Sequence, residues 1–287
     1  MSLKKKIRQY LSDKLGVTEN RILLKSLSSY ITLIGGDTIK LPVIIDSELR
    51  KSVKTSYGIE GFNSTIHRND MMLYNHIVHY QGDTSKAVES YFAVGMEAIR
   101  AIQSESDPSL QLDILDFGSG YGRVSRFLPM VYRKSTVFVS EVKPVALEFL
   151  NSEFGLNGFA HGQDPDSLKC SNMDLIIAVS VFTHLPLDAC KSWINKLSDL
   201  LNPEGRLILT FNDISNCPFN HNGSFHFEEQ SEDSSMSGIA DRLDNVSEYG
   251  STFFSEEYLM SMLLNVDANK EIRPNFIGNH SALIIKK

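Results

Sequence analysis

Cysteine is scarce in this sequence. Three stand among 287 residues, Cys170, Cys190 and Cys217. An odd number with no CxxC pair argues against a disulfide framework and fits a reducing compartment. Long apolar runs are missing too: none approaches the roughly 20 residues that cross a bilayer. The opening MSLKKKIRQYL is basic but lacks the apolar stretch of a signal peptide. Positive charge is in deficit, with 28 Lys and Arg against 35 Asp and Glu for a net charge of −7. Phosphate backbones are bound by clustered Lys and Arg, so nucleic acid is a poor main partner. The expectation is a cytoplasmic protein.

What is present is ordinary for a globular chain: 42% apolar and 22% charged residues. That length buries a sizeable core without a metal or disulfide staple. The charge is uneven. Residues 1–60 carry eleven Lys and Arg against six Asp and Glu, a net of +5, which leaves −12 for the remainder. Lys4, Lys5, Lys6 and Arg8 lie on an amphipathic N-terminal segment whose apolar positions are Leu3, Ile7, Leu11 and Leu15. Its basic face suits a solvated cap or homo-oligomer helix better than a peripheral membrane contact.

From about residue 112 onward, short apolar runs alternate with helical periodicity, the pattern of βαβ units. Strands are expected at LDILDF (112–117), TVFVS (136–140), near 158–162, at DLIIAVSV (174–181), at RLILTF (206–211) and at SALIIKK (281–287). Between them the spacing predicts helices over 124–131, from Pro144 to Gly155, over 187–201 and over 255–264, with a turn at Asn202-Pro203-Glu204-Gly205. Earlier in the chain, LPVIID (41–46) reads as strand-like and 85–102 as a helix. Residues 1–104 are therefore expected to form a mainly helical cap and 105–287 an α/β domain. A polar segment over 213–250 is too long for a simple connector and reads as a lid-like insertion.

The strongest local signal is ILDFGSGYGR (114–123). Gly118, Gly120 and Gly122 follow an expected strand and open an expected helix, where a glycine turn lets a ligand approach the main chain. A dinucleotide fingerprint is GxGxxG, and Arg123 stands where its third glycine belongs. The pattern here is GxGxG with Asp116 two positions ahead, a carboxylate that suits a sulfonium with an amino-acid tail better than a pyrophosphate. Glu141 ends the next strand, 23 positions after Gly118, where an acidic side chain accepts both hydroxyls of a ribose.

DFGSGYGR, SEVKP, MDLIIAVSVFTHLP and LNPEGRLILTF together resemble the successive motifs of class I S-adenosylmethionine-dependent methyltransferases, over about residues 105–287. VSVFTHLP is similar to bacterial enzymes acting on small molecules and cell-surface sugars. The resemblance implies a Rossmann-like, seven-stranded, mostly parallel sheet with helices on both faces and an antiparallel last strand. It implies that Asp116, Gly118, Ser119, Gly120 and Gly122 line the methionine end of S-adenosylmethionine and that Glu141 holds the ribose. Val142 would lie beside the adenine and Gln163 and Asp164 at its edge, while Ser180, Val181 and Phe182 close over the cofactor.

Methyl transfer to a hydroxyl gains from a general base near neutrality, for which histidine is suited. His184 follows the fourth strand of the α/β region, at the edge where such folds bind ligands. Asp213, with Asn212, follows the fifth, and His226 lies in the polar segment with His221. These make His184, Asp213 and His226 the catalytic candidates. No spacing of ligands suggests a metal, whether around His76 and His79 or around Cys217 and His221. The expected acceptor is a small polar molecule, a sugar hydroxyl on a surface-polysaccharide precursor first. Methylation of an amine or carboxylate on a small metabolite, or a non-catalytic cofactor-binding module, stand as the alternatives.

Overall fold

A computed structural model describes residues 38–41, 43–170, 172–221, 223–229, 250–263 and 266–287, apart from the side chains of Tyr74 and Val78. The expected basic N-terminal helix and most of the expected lid lie outside the described residues. The chain divides into two compact units that meet in sequence between Gly95 and Met96.

In the first unit, a two-residue strand β1 (Thr38–Ile39) pairs antiparallel with β2 (Ile66–His67). Helix α1 (Val43–Tyr57) lies between them in sequence, and α2 (Met71–His79) and the start of α3 (Thr84–Glu105) follow. The strand-like reading of LPVIID is corrected here, since residues 43–46 are the first turn of α1. Val43 and Ile44 are 83% and 72% exposed, so the β-branched run is not core. Asp46 pairs with Arg50 at 2.7 Å across one helical turn, and Leu49 and Val53 are buried on one face. Pairing and burial at helical spacing override a local β preference of a few tenths of a kcal/mol. Asp70 accepts the Tyr91 hydroxyl at 2.6 Å and the Met72 amide at 2.9 Å, tying the start of α2 to α3.

The second unit is built on a sheet. Strands β3 (Asp113–Phe117), β4 (Thr136–Glu141), β5 (Asn157–Ala160), β6 (Met173–Ala178) and β7 (Leu201–Asp213) run parallel, while β11 (His280–Lys286) is antiparallel to β7 and to β10 (Asn269–Ile277). The seven-strand order is β10-β11-β7-β6-β3-β4-β5. The antiparallel hairpin β8 (Phe225–Glu229) and β9 (Gly250–Phe254) brings the sheet to nine strands, through parallel pairing of Asn212 and Asp213 with Phe253 and Phe254. This α/β architecture, a mostly parallel sheet flanked by helices, is the one the sequence pattern implied. Strand β10 and the hairpin were not legible from it.

Two local differences bear on the site. The helix expected over 124–131 breaks into a 3₁₀ turn (Ser125–Phe127) and a single α turn, α4 (Leu128–Val131). Pro129 supplies no N–H for the carbonyl of Ser125, so an α-helix cannot run through. The expected turn at Asn202–Gly205 is an irregularity within β7. Register shifts between Met173↔Leu201 and Leu175↔Arg206, and Glu204 takes φ +70°.

Helix α5 (Pro144–Phe154) begins with proline and ends on Gly155 in the left-handed conformation, as its sequence predicts. Trp193, Ile194 and Leu197 of α6 (Leu187–Asp199) pack with Leu115, Phe117, Ile176, Phe211 and Leu283 in the main core, while Tyr121, Ala146 and Phe149 form a separate cluster. After β5 the chain returns to the other side of β3 to form β6. That reversal opens a crevice at the carboxyl ends of β3 and β6, where ligands bind in open α/β sheets.

Candidate functional site

The glycine turn sits at this reversal. The amides of Gly118 and Ser119 donate to the carbonyl of Ser140 on β4, at 2.9 and 3.1 Å, which bends the chain as it leaves β3. Gly118, Gly120 and Gly122 all have positive φ, +68°, +56° and +76°, where a side chain is strained. They differ in what surrounds them. A Cβ on Gly118 would meet Val181 Cγ2 at 2.5 Å, and one on Gly122 would meet Leu150 Cδ2 at 2.6 Å and Phe154 Cε2 at 2.9 Å. Gly120 faces nothing within 4 Å among the described residues. The outer glycines are therefore demanded by packing, and the middle one borders open space.

Two carboxyl groups flank the turn. Glu141, 8% exposed at the end of β4, accepts the Gly120 amide at 2.8 Å through Oε2, and those of Val142 and Lys143 at 2.9 and 3.3 Å through Oε1. Asp116 is 3% exposed and accepts the Ser125 hydroxyl at 2.5 Å. Burial, with Glu141 nearby, pushes its carboxyl up to about 7 despite that hydrogen bond. Asp116 braces the turn from beneath, and Glu141 holds it from the side.

Beyond β5, Gln163 and Asp164 are exposed, and Asp164 caps a 3₁₀ turn by accepting the Asp166 amide at 2.9 Å. His161, at the start of this segment, turns inward. Its ring stacks on Phe117 (centroids 5.0 Å, 19°) and meets Trp193 edge-on, and its Nδ1 lies 2.9 Å from the Gly162 carbonyl. That carbonyl only accepts, so Nδ1 carries the proton and Nε2, buried with no hydrogen-bond partner, is an acceptor. Burial depresses its pKa.

After β6, Ser180 takes φ +60°, its amide held by Thr210 Oγ1 at 2.7 Å. Val181 packs on Gly118, and Phe182 is buried in the main core. His184 is half-buried, and its Nδ1 donates to the Gly250 carbonyl at 2.8 Å while Gly250 N–H returns a bond to the His184 carbonyl at 2.9 Å. Thr252 adds two more, from its amide to Thr183 (2.9 Å) and from its hydroxyl to Leu185 (2.5 Å). Burial, with His280 nearby, lowers the imidazole pKa to about 4. His184 thus pins the turn after β6 to β9.

Asp213 is half-buried and caps a short turn by accepting the Ser215 amide and hydroxyl, at 2.8 and 2.5 Å. On the hairpin, His226 stacks on Phe219 (5.5 Å, 22°) and pairs with Glu228 at 3.2 Å, with the His221 ring 6.4 Å away. Asn212 donates to the Thr252 carbonyl at 2.9 Å and lies opposite His280 in the β7–β11 register. Among the described residues no group of three or more His, Cys, Asp or Glu is arranged to hold a metal ion. No helix among them is long and apolar enough to cross a membrane.

Residues 115–207, from β3 into β7, match a family described as a methyltransferase domain. No curated protein matches the sequence. Among solved structures, a TehB-like SAM-dependent methyltransferase from Corynebacterium glutamicum is 15% identical, with 75% of this chain and 94% of that one covered and a TM-score of 0.47. The 1,6-didemethyltoxoflavin-N1-methyltransferase of Burkholderia thailandensis is 16% identical over 76% and 87% of the chains, TM-score 0.49. A SAM-dependent methyltransferase from Clostridium acetobutylicum is 18% identical over 74% and 98%, TM-score 0.47.

The glycine turn and Glu141 could hold a nucleoside cofactor on their own geometry. Gly120 leaves room against the main chain, and the Glu141 carboxylate has about four acceptor positions with three backbone donors upon them. A ribose diol could take the remaining position and compete with Gly120 N–H for the next. Local sequence signals led to the turn and to Glu141. They missed Thr210 and His280, which reach this edge only through the sheet.

Proposed function

We propose that this protein transfers the methyl group of S-adenosylmethionine to a hydroxyl of a small polar acceptor, with a sugar hydroxyl on a surface-polysaccharide precursor as the first candidate. The observation that carries the reading is the open space over Gly120 beside Glu141, at the reversal point of the sheet. In this reading Gly118, Ser119, Gly120 and Gly122 border the methionine end, with Asp116 bracing them, and Glu141 takes the ribose. Val142, Gln163 and Asp164 lie toward the adenine edge, and Ser180, Val181 and Phe182 close the opposite side. The cofactor supplies an electrophilic methyl carbon on a positively charged sulfur that leaves as a neutral thioether. The protein supplies orientation, exclusion of water and a path for the acceptor proton.

A saccharide is supported by the edge beyond β7. Phe219, 38% exposed, and His226 offer stacked ring faces beside the Glu228 carboxylate and the Asp213 turn. Rings with hydrogen-bonding groups at their rim suit a molecule with one apolar face and a polar periphery. His184 orients the turn that carries Ser180 to Phe182, while Asp213 and His226 border the acceptor. Residues 1–104 are assigned to acceptor selection or self-association, and the setting is cytoplasmic.

Calorimetric titration with S-adenosylmethionine and S-adenosylhomocysteine, with NAD as control, tests the cofactor assignment. Both sulfur nucleosides should bind, and Glu141→Ala should weaken both. Release of S-adenosylhomocysteine in the presence of sugar nucleotides or oligosaccharides then tests the acceptor. Turnover on amine or carboxylate metabolites alone would replace the sugar hydroxyl.

A further inference from the structure

His280 opens β11, the antiparallel strand, and for that reason lies at the same sheet edge as the carboxyl ends of β6 and β7. Its Nδ1 is 3.4 Å from Ser180 Oγ. Ser180 is held in the left-handed conformation, with its amide bound to Thr210, and backbone strain of this kind collects at functional sites. The next residue, Val181, packs directly on Gly118. A short chain of contacts, Gly118 to Val181 to Ser180 to His280, therefore links the glycine turn to this imidazole. Arg123, at the exit of the same turn, is close enough to act on it electrostatically.

Resting on the methyltransferase reading above, we propose that His280 faces the transfer centre and accepts the acceptor's hydroxyl proton through Nε2. That role takes the tautomer in which Nδ1–H is donated to Ser180 Oγ, which puts the free electron pair on Nε2. As the acceptor oxygen gains the methyl group, its O–H bond breaks and the proton passes to Nε2. The C–S bond pair stays on sulfur as the thioether. The resulting imidazolium releases the proton to solvent before the next turnover.

His184 is less suited to this work, because its Nδ1 is spent on Gly250 and the ring serves the pin to β9. Among the described residues, Arg123 beyond the glycine turn acts on His280, His280 in turn acts on His184 beyond β6, and β7 presents uncharged Asn212 opposite it. Burial and Arg123 both lower its pKa, so the ring is neutral and able to accept at pH 7.

The cofactor and its product differ at sulfur by one positive charge, which makes His280 a reporter on its own position. Imidazole proton resonances of the full chain are followed against pH by NMR, free and saturated with S-adenosylmethionine or S-adenosylhomocysteine. His280→Gln assigns the signal, and Ser180→Ala assigns it independently by perturbing it. The expected result is a His280 midpoint lower with the sulfonium than with the thioether by about half a pH unit or more. That is the effect of one charge at about 6 Å even through water. Equal midpoints with both ligands bound would place His280 away from the reacting sulfur and overturn the proposal. Failure of either ligand to bind would overturn the methyltransferase reading itself, and calorimetry separates the two outcomes.

Discussion

Gly120 and Gly122 are two residues apart, and alanine at each should fail in a different way. Both lie at positive φ, where alanine is strained by about 1–2 kcal/mol. At Gly122 the added methyl also meets Leu150 and Phe154 at 2.6 and 2.9 Å, and overpacking of that kind costs about 1–3 kcal/mol more. Gly122→Ala should therefore lose about 2–5 kcal/mol in all. At about 2–4 °C per kcal/mol, its melting midpoint falls by about 4–20 °C. At Gly120 the methyl meets no atom of the described residues, so the variant loses little beyond the strain. The methyl instead fills space assigned to the cofactor, and S-adenosylhomocysteine should bind at least about tenfold more weakly, a loss of about 1.4 kcal/mol. Thermal melts and calorimetry on both variants give two rank orders, which should be opposite. If Gly120→Ala binds as tightly as the native protein and Gly122→Ala melts with it, the division of labour within the turn is refuted.

Glu141→Ala removes charge-assisted hydrogen bonds worth about 1.5–3 kcal/mol, so S-adenosylhomocysteine affinity should drop about 10- to 150-fold by calorimetry. Asp116, raised from 3.8 to about 7, binds a proton in the folded state over a pH range where the unfolded chain has lost it. Stability should fall as pH rises from about 4 to about 7, by roughly 4 kcal/mol at most, and denaturant unfolding of Asp116→Asn should lack that slope. His184 carries the opposite sign: lowered from 6.5 to about 4, it withholds a proton the unfolded chain accepts. Its contribution is lost as pH falls from about 6.5 to about 4. His184→Gln should therefore leave a steeper decline with rising pH in that window, read by the same unfolding series.

What could be read in the sequence was what is local in it. Strand β6 is apolar at nearly every position because both its faces are covered, and α5 opens on Pro144 and ends on Gly155 because those residues fit those termini. The glycine turn and Glu141 were legible for the same reason: their jobs depend on backbone angles and on position at strand ends. Val43 and Ile44 misled because a β-branched run signals a strand only if something covers it, and here both are exposed on a helix. Strand β10 has five half-buried positions in its nine residues, too blurred an alternation to announce an edge strand.

His280, proposed above to face the acceptor, was illegible for a deeper reason. His280 lies one hundred positions from Ser180, and no periodicity or spacing joins them. They meet because β11 runs against β7, so its first residue, not its last, stands at the carboxyl edge of the parallel strands. Thr210 meets Ser180 through the β6–β7 pairing, and Thr252 reaches the 183–185 turn through β9. Cofactor-side groups ride on consecutive βα units and keep their order in the chain. Acceptor-side groups are gathered from strands added late in sequence and in either direction. The first half of such a site can be found from motifs, while the second requires the strand order and register.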